Sequence, residues 1–482
     1  MSRQISRLSL AVLLLFGALF VNLNVIALIQ ADDLANHPAN RRLIIREYGI
    51  ERGPLVVGEQ AIARSDPTGG ELEYQRTYPE GELYAHLTGY YSIVLQRAAL
   101  EQQLNEELTG QPTEILAQNL GQLLGRQDRP GNAVELTIDP AVQAAARDAL
   151  DGREGAVVAL DPTSGAVLAS YSNPTYDPNP LSSHSPSEVN EAWLPLRDDE
   201  DRPLVDRAIS ETYAPGSTFK VVTAAAALEA GVSPTTPFPD EVEYDVPLTT
   251  ANIGNFGGGP CLDGDEIDLS DAMRVSCNTV FARLGNELGD ESLREQAERF
   301  GFNDEVPYEL DVAVSAFPGD LDEPATAQSA IGQRDVRATP MQMAMVAATI
   351  ANGGELRRPY VVDAIRDPDG QVIRGPEDGR WSGPPGDGRP VSPRTADQLR
   401  EMLEDVVEDG TGTSAQIDGV TVGGKTGTAQ TGGGPTVWFL GFADDEIAVA
   451  VVLPEAGADA TGGGVAAPVA RQVMQAATGQ SD

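Results

Sequence analysis

Residues 213–220 read YAPGSTFK and continue as VVTAAAALEAG up to residue 231. The alanine-rich run predicts a strong helix, which its final glycine can cap. The Pro-Gly pair places Ser217 at the helix N-terminus, and Lys220 follows three residues later on the same face. The helix dipole favours an oxyanion beside the serine, and the amine can accept its proton. The pair is a candidate nucleophile and base, although a serine N-cap with a surface lysine fits it equally well.

Two shorter motifs lie further along the chain: Ser-Cys-Asn at 276–278 and Lys-Thr-Gly-Thr at 425–428. Strand alternation would send Lys425 and Gly427 to one face, and the two threonines to the other, unless a bulge re-aims them. Gly427 would let a substrate backbone pass close by. Taken alone, the first motif fits an ordinary loop and the second an exposed edge strand.

Lysine use singles out the same motifs. Of the 33 lysine and arginine residues only two are lysines, Lys220 and Lys425. A lysine amine can lose its proton when burial or a neighbouring cation lowers its pKa, whereas an arginine stays charged. A codon bias that spared two sites is the alternative. Such a bias should still retain lysine at sites where arginine cannot replace it functionally.

The spacing of the motifs carries a resemblance. Ser-x-x-Lys, Ser-x-Asn 59 residues later and Lys-Thr-Gly another 149 residues later are the motif set of penicillin-binding proteins and serine β-lactamases. From about Leu136 onward the chain resembles a penicillin-binding transpeptidase domain. The middle residue of the second motif is Cys277, where many relatives have aspartate.

Other features resemble the class B, monofunctional group of these proteins. The chain has one N-terminal apolar segment and no recognisable glycosyltransferase domain. Three stretches are most similar to the actinobacterial penicillin-binding protein A subgroup: NHPANRR (36–42), GYYS (89–92) and IGQRDVRATPMQMAMVAATIANGG (331–354).

The resemblance implies a role for each motif residue. Ser217 attacks the carbonyl between the two terminal D-alanines of a stem peptide and becomes acylated, with neutral Lys220 as the base. Ser276 relays a proton toward the leaving amine, and Asn278 hydrogen-bonds the substrate amide and Lys220. Lys425 disfavours a second ammonium nearby and so helps to lower the pKa of Lys220.

The same resemblance assigns substrate binding to the third motif. The hydroxyls of Thr426 and Thr428 bind the substrate carboxylate with Lys425, and Gly427 lets the substrate approach. The N–H groups of Ser217 and Thr428 form an oxyanion hole, typically worth about 3–4 kcal/mol per donor. β-Lactams would acylate the same serine. Neither a metal nor an organic cofactor is required.

The expected function is therefore that of a peptidoglycan D,D-transpeptidase, serving cell division or cell shape, in which an amine of a second stem peptide resolves the acyl-enzyme. Two alternatives stay open: a hydrolase on the same scaffold (a D,D-carboxypeptidase or β-lactamase) and a non-catalytic penicillin-recognising scaffold. By resemblance the partners are stem peptides, β-lactam inhibitors, and a SEDS-type polymerase with division or elongation proteins.

The formal charge of −40 disfavours binding to nucleic acid, because such a chain repels phosphates. We interpret this charge as a solvated acidic surface.

Residues Leu8 to Gln30 are apolar and uncharged, long enough to span a bilayer. Arg3 and Arg7 precede the segment and two aspartates follow it, so the positive-inside rule predicts a cytoplasmic N-terminus and an extracellular catalytic part. A cleaved signal peptide is the alternative, but the apolar run is longer than a typical signal core and no small-x-small site ends it.

In an exported protein the two cysteines, Cys261 and Cys277, permit a disulfide, with two buried thiols as the alternative. Metal binding is not expected, because the three histidines are scattered and far from both cysteines.

The predicted fold class is α+β, an antiparallel sheet flanked by helices with a helical subdomain, preceded by a membrane anchor and an elongated N-terminal domain. We predict three parts: 1–30 as cytoplasmic tail and anchor, 31–135 as a non-catalytic domain, and 136–482 as the transpeptidase domain. The local predictions are a helix-like run (Ser92–Leu108), a helix capped by Asp139 (Thr137–Leu150), hairpins over Ala156–Ser172 and Val437–Pro454, and a third strand beside the last hairpin at GVTVGGKTGTAQ.

Overall fold

The N-terminal apolar segment forms one long exposed helix. The computed structural model describes residues 2–25, 45, 47–110, 130–262, 264–381, 388–432 and 434–480. The helix Ser2–Asn24 includes an 18-residue apolar stretch, Arg7–Asn24, that is long enough to cross a membrane. The predicted span continued to Gln30, and residues 26–30 lie outside the described residues, as does the 36–42 stretch.

The strands fall into two large sheets and three two-stranded pairs. In chain order they are β1 (Leu55–Val57), β2 (Gln60–Pro67), β3 (Tyr74–Thr77), β4 (Tyr91–Ser92), β5 (Gln96–Arg97), β6 (Ala133–Leu136), β7 (Gly155–Leu160), β8 (Val167–Asn173), β9 (Pro237–Pro239), β10 (Glu243–Asp245), β11 (Asn252–Gly254), β12 (Glu266–Asp268), β13 (Val362–Arg366), β14 (Val372–Arg374), β15 (Val422–Thr431), β16 (Gly434–Ala443) and β17 (Ile447–Leu453).

The α-helices after the first one cover the sheets and build the helical subdomain. They are Gly81–Thr88, Ala99–Gln103, Asn105–Thr109, Pro140–Leu150, Pro186–Asp198, Lys220–Glu229, Leu269–Arg274, Asn278–Leu288, Asp290–Arg299, Glu323–Ala330, Pro340–Ala351, Pro393–Asp409 and Ala467–Ala477. Short 3₁₀ turns occur at Pro180–Ser182, Gly216–Phe219 and Thr413–Ala415, and a π turn occurs at Gly462–Ala466.

The sheet that carries the third motif is antiparallel throughout, in the order β15-β16-β17-β7-β8. Both predicted hairpins and the predicted third strand are present, with β15 at the edge. Strands β7, β16 and β17 are buried along nearly their whole length, because helices such as Pro340–Ala351 and Ala467–Ala477 pack against them. The α+β fold class, an antiparallel sheet flanked by helices beside a helical subdomain, is confirmed.

The predicted helix start near the sheet is also confirmed. Asp139 is the N-cap of the helix Pro140–Leu150, and its carboxylate accepts the N–H of Ala141 at 2.7 Å and of Val142 at 3.1 Å. This carboxylate satisfies two N–H groups that have no partner within the helix.

The helix-like prediction for Ser92–Leu108 is wrong in its first half. Strands β4 and β5 form a short hairpin there, and helices begin only at Ala99 and Asn105. Gln96 and Ala99 both have positive φ, at 66° and 47°. A right-handed helix cannot run through such residues, and composition alone did not reveal the turn.

The first sheet joins the N-terminal region to later parts of the chain. Its order is β14-β13-β6-β1-β2-β3, with β1 and β6 parallel and the remaining pairs antiparallel. Strands β13 and β14 come from far beyond residue 136, so the two regions share one sheet. The division between 135 and 136 stays a prediction.

A buried ion network holds the N-terminal region together. Glu101 lies between two arginines and is fully buried, with Arg52 at 2.7 Å and Arg76 at 2.5 Å. Burial alone would raise the pKa of Glu101, but the two guanidinium groups outweigh it and lower that pKa. Arg52 also donates to the side chain of Asn105.

We expect Glu101→Gln to lower the free energy of unfolding by about 3–5 kcal/mol, because it leaves two guanidinium groups buried without a counter-charge. Urea unfolding of the full-length protein measures this loss. The exposed Glu59 provides a control, and Glu59→Gln should change stability by less than about 0.5 kcal/mol. Equal losses in the two variants would contradict a role for this network in stability.

Candidate active site

Ser217 sits in a 3₁₀ turn, Gly216–Phe219, that leads directly into the helix Lys220–Glu229. Gly216 has φ of +53°, and a Cβ there would lie 3.2 Å from the backbone of Thr428. Glycine is therefore favoured on two grounds, the backbone conformation and the close approach of β15. The predicted helix is confirmed, with a tighter turn at its start.

Lys220 is fully buried beneath the turn. Its amine donates to the backbone carbonyl of Ser276 and to Oδ1 of Asn278, both at 2.7 Å, and lies 3.3 Å from the Ser276 hydroxyl. Burial, assisted by the positive charge of Lys425, lowers the pKa of Lys220 well below its usual value. This lowered pKa increases the share of the neutral amine, the form that can accept a proton.

Lys425 reaches the same point from β15. It is also fully buried, and its amine donates to the Ser276 hydroxyl at 2.9 Å and to the carbonyl of Thr426 at 3.0 Å. Burial lowers the pKa of Lys425 to about 7. The hydroxyl of Ser276 thus bridges the two lysine amines of the protein.

Ser276 is held in an uncommon backbone conformation. Its φ is +62°, which a non-glycine residue seldom adopts. It follows the helix Leu269–Arg274, and its N–H donates to the carbonyl of Met273 at 3.1 Å. The N–H of Cys277 donates to the carbonyl of Ala272 at 2.8 Å. This helix-ending turn aims the hydroxyl of Ser276 at the two amines.

Asn278 begins the helix Asn278–Leu288 and is fixed by a residue that sequence reasoning missed. Oδ1 of Asn255 accepts the N–H of Asn278 at 3.0 Å and that of Thr279 at 3.1 Å. The side-chain N–H of Asn278 in turn donates to the carbonyl of Gly254 at 3.0 Å. Asn255 therefore caps the helix from a distant loop, and no local sequence pattern identifies it.

A disulfide links the loop that contains Asn255 to the second motif. Cys261 and Cys277 are bonded, and Cys277 is the middle residue of the second motif. The N–H of Cys261 donates to the carboxylate of Asp240 at 2.6 Å. Of the alternatives that the sequence left open, the structure has the disulfide rather than two thiols.

Strand β15 lies against the nucleophile turn. A Cβ on Gly427 would come within 2.8 Å of the Pro215 carbonyl, so only glycine permits this packing. On the opposite face the hydroxyl of Thr426 lies 2.7 Å from that of Thr411, and the hydroxyl of Thr428 accepts the N–H of Gly462 at 3.3 Å. The alternation expected from the sequence matches these contacts.

The motif residues surround one cleft of about 450 Å³. Ser217, Ser276 and Asn278 line it together with the 426–428 stretch, while the two lysines lie underneath. Residues outside the motifs also line it, and the sequence did not point to them: Asn255, Phe256, Gln333, Thr411, Ser414 and the 461–464 segment. Among the described residues Ser217 has no hydrogen-bonded partner for its hydroxyl, since the Lys220 amine is turned toward Ser276 and Asn278.

Comparison with known proteins agrees with this geometry. Residues 155–475 match the penicillin binding protein transpeptidase domain, and residues 52–134 match the penicillin binding protein A dimerisation domain. The chain is 40% identical to the peptidoglycan D,D-transpeptidase PbpA of Mycolicibacterium smegmatis and 39% identical to that of Mycobacterium tuberculosis, in each case over 99% of both chains.

A solved structure extends the agreement to three dimensions. Penicillin-binding protein A from M. tuberculosis, captured as a ceftriaxone acyl-enzyme complex, matches with a TM-score of 0.84 at 39% identity, covering 90% of this chain and 99% of that chain. The protein therefore belongs to the penicillin-binding protein transpeptidase family, within the class B, penicillin-binding protein A group that its motifs predicted.

Proposed function

We propose that the protein is a peptidoglycan D,D-transpeptidase that cross-links the cell wall through an acyl-enzyme on Ser217. The observation that carries this proposal is the pair of buried lysine amines that converge on Ser276 beside the Ser217 cleft. Relatives similar over the full chain carry the name peptidoglycan D,D-transpeptidase, and a solved relative is a β-lactam acyl-enzyme.

In the acylation step, Oγ of Ser217 bonds to the carbonyl carbon between the two terminal D-alanines, and its proton passes to neutral Lys220. The amide C–N bond then breaks, and the departing D-alanine nitrogen takes up a proton through the hydroxyl of Ser276. That hydroxyl lies 3.3 Å from one amine and 2.9 Å from the other, which suits a relay. The Lys220 amine, which donates to Ser276 and Asn278, approaches Oγ of Ser217 when substrate binds.

Substrate recognition falls to the edge strand. Because β15 pairs with a strand on one side only among the described residues, its other edge can pair with an extended stem peptide. The hydroxyls of Thr426 and Thr428 and the charge of Lys425 bind the terminal carboxylate. The N–H of Thr428 and that of Ser217, at the start of the helical turn, stabilise the oxyanion.

The cleft favours transfer to an amine over hydrolysis. Of the described residues that line it, none is an aspartate or glutamate, although the chain holds 73 acidic residues. A β-lactamase needs an added base to activate water for deacylation, and none of these lining side chains is a carboxylate that could serve. The acyl-enzyme therefore persists until the amine of a second stem peptide arrives.

The location follows from the N-terminal helix. It anchors the protein in the cell membrane with residues before it in the cytoplasm and the catalytic part outside, where peptidoglycan lies. Residues 31–135 act as a non-catalytic domain, and 52–134 match a dimerisation domain. A SEDS-type polymerase and proteins of division or elongation work alongside the enzyme.

We expect Ser217→Ala to abolish labelling by a fluorescent penicillin, because the variant lacks the acylated oxygen. Gel fluorescence followed by peptide mapping measures it, and the adduct on the unaltered protein should last for hours. Ser233→Ala, at an exposed serine, should label normally. Retained labelling of Ser217→Ala would contradict the proposal, and an adduct lasting only seconds would indicate a β-lactamase.

The rate of acylation should depend on pH through Lys220. Since burial and Lys425 lower the pKa of Lys220, the acylation rate should decline as the pH falls through that lowered pKa, at a lower pH than an ordinary lysine would give. Lys425→Met removes a positive charge, so the pKa of Lys220 should rise and the acid limb should move to higher pH. Stopped-flow measurement of acylation between pH 5 and 9 gives the midpoint of the acid limb for both proteins. A midpoint that stays fixed or moves to lower pH in Lys425→Met would contradict the effect of Lys425 on the pKa of Lys220.

Thr411 should position the carboxylate-binding hydroxyl of Thr426, which lies 2.7 Å from its own. Thr411→Val keeps the shape and removes the hydrogen bond, so acylation by penicillin should slow about fivefold, equivalent to about 1 kcal/mol. Thr411→Ser restores the hydroxyl and should restore the rate. Equal rates for the valine and serine variants would exclude this positioning role.

A further inference from the structure

A second cavity, separate from the Ser217 cleft, has a volume of about 470 Å³. One side comes from the N-terminal region, including His86, Tyr90 and Gln102. The other side comes from later segments, including Tyr176, Trp193 and Asp206. The cavity is of a size that holds small organic ligands, and a ligand in it would touch both regions.

Aromatic rings form much of the cavity wall. His86 and Tyr176 meet edge to face with ring centres 5.6 Å apart, and Tyr90 and Trp193 do so at 6.2 Å. His86 and Tyr176 are buried, whereas Tyr90 and Trp193 are half-buried. The Nε2–H of His86 donates to the carbonyl of Pro203 at 2.9 Å, and burial lowers the pKa of its ring, so the ring is neutral at pH 7.

The charged groups of the cavity are acidic. Asp206 is half-buried, and its Oδ1 accepts one hydrogen bond, from the N–H of Ala208 at 3.0 Å. Asp206 makes no ion pair within the described part of the chain. Its neighbour Arg207 turns away, donating to Glu154 at 2.8 Å. The exposed Asp311 adds a second carboxylate.

No lysine or arginine appears among the described residues that line the cavity. The carboxylate of Asp206 is half-buried and makes no ion pair among the described residues; burial raises its pKa, and His86 and Arg207 offset that rise only in part. A carboxylate in this position gains from an added positive charge. Aromatic faces attract cations as well, and the attraction is strongest for tryptophan.

We infer that this cavity binds an organic cation, an alkylammonium or guanidinium group, whose charge lies between Asp206 and the rings of Trp193 and Tyr90. Such a group is carried by free amines and by lysine or arginine side chains. The inference does not rest on the proposed transpeptidase activity, because the cavity shares no lining residue with the Ser217 cleft.

Titration of the full-length protein in detergent tests the inference. The probes are Nα-acetyl-lysine methylamide, its neutral Nζ-acetylated form, and n-butylammonium as the free amine. Calorimetry and the fluorescence of Trp193 report binding; Trp193 is one of three tryptophans, so Trp193→Phe identifies its signal. We expect at least one cationic probe to bind, and the neutral form to bind about tenfold more weakly or worse.

Two probes separate the possible sources of the cation. If n-butylammonium binds as well as the lysine derivative, a free amine suffices; if only the lysine derivative binds, the site takes a basic side chain of a protein. Both results support a cation site. Equal binding of the cationic and neutral probes, or no binding of either cation at millimolar concentration, would overturn it.

Matched variants assign the charge to one carboxylate. Asp206→Asn should weaken cation binding about tenfold, whereas Asp201→Asn, at an exposed aspartate outside the cavity, should leave it unchanged. Penicillin labelling at Ser217 verifies that each variant is folded. If Asp206→Asn fails to fold, Trp193→Ala provides the second test, and unchanged affinity in the variant that folds would refute the site.

Discussion

The active site depends on the burial of two lysine amines around one hydroxyl. Taking an ammonium group out of water is costly unless hydrogen bonds or a lowered pKa compensate it. Lys220 and Lys425 meet this requirement together, because each donates to Ser276 and the charge of one disfavours the charge of the other. An arginine could not replace Lys220 as the base, since its guanidinium does not lose a proton.

This convergence requires three distant segments to meet, and backbone devices bring them together. Two glycines, Gly216 and Gly427, leave room for β15 to lie against the nucleophile turn. The loop that contains Asn255 caps the helix of the second motif, and the disulfide ties that loop to Cys277. The rigid sheet and the two helix ends thus define where the reacting groups lie.

Sequence reasoning predicted what is locally encoded. The capped helix at Asp139 and the two hairpins follow from periodicity and turn residues, and the structure has them. The three motifs were recognised by resemblance, and the fold brings them to one cleft. The Ser92–Leu108 prediction failed because two residues with positive φ break a run that is helical by composition. Asn255 and Thr411 were missed because each acts on a motif through a contact made only after folding, 23 and 15 residues away in the chain.

The contrast between the acidic protein and its cleft, whose described lining residues include no carboxylate, has an electrostatic reason. A carboxylate near Lys220 would favour the ammonium form and raise the pKa that burial and Lys425 lower, so the amine would no longer accept the proton of Ser217. It would also repel the carboxylate of the substrate. In a chain with a formal charge of −40, the lack of carboxylates among the described lining residues thus helps to keep the pKa of Lys220 low. The described lining residues likewise offer no carboxylate of the kind that a β-lactamase uses to activate water.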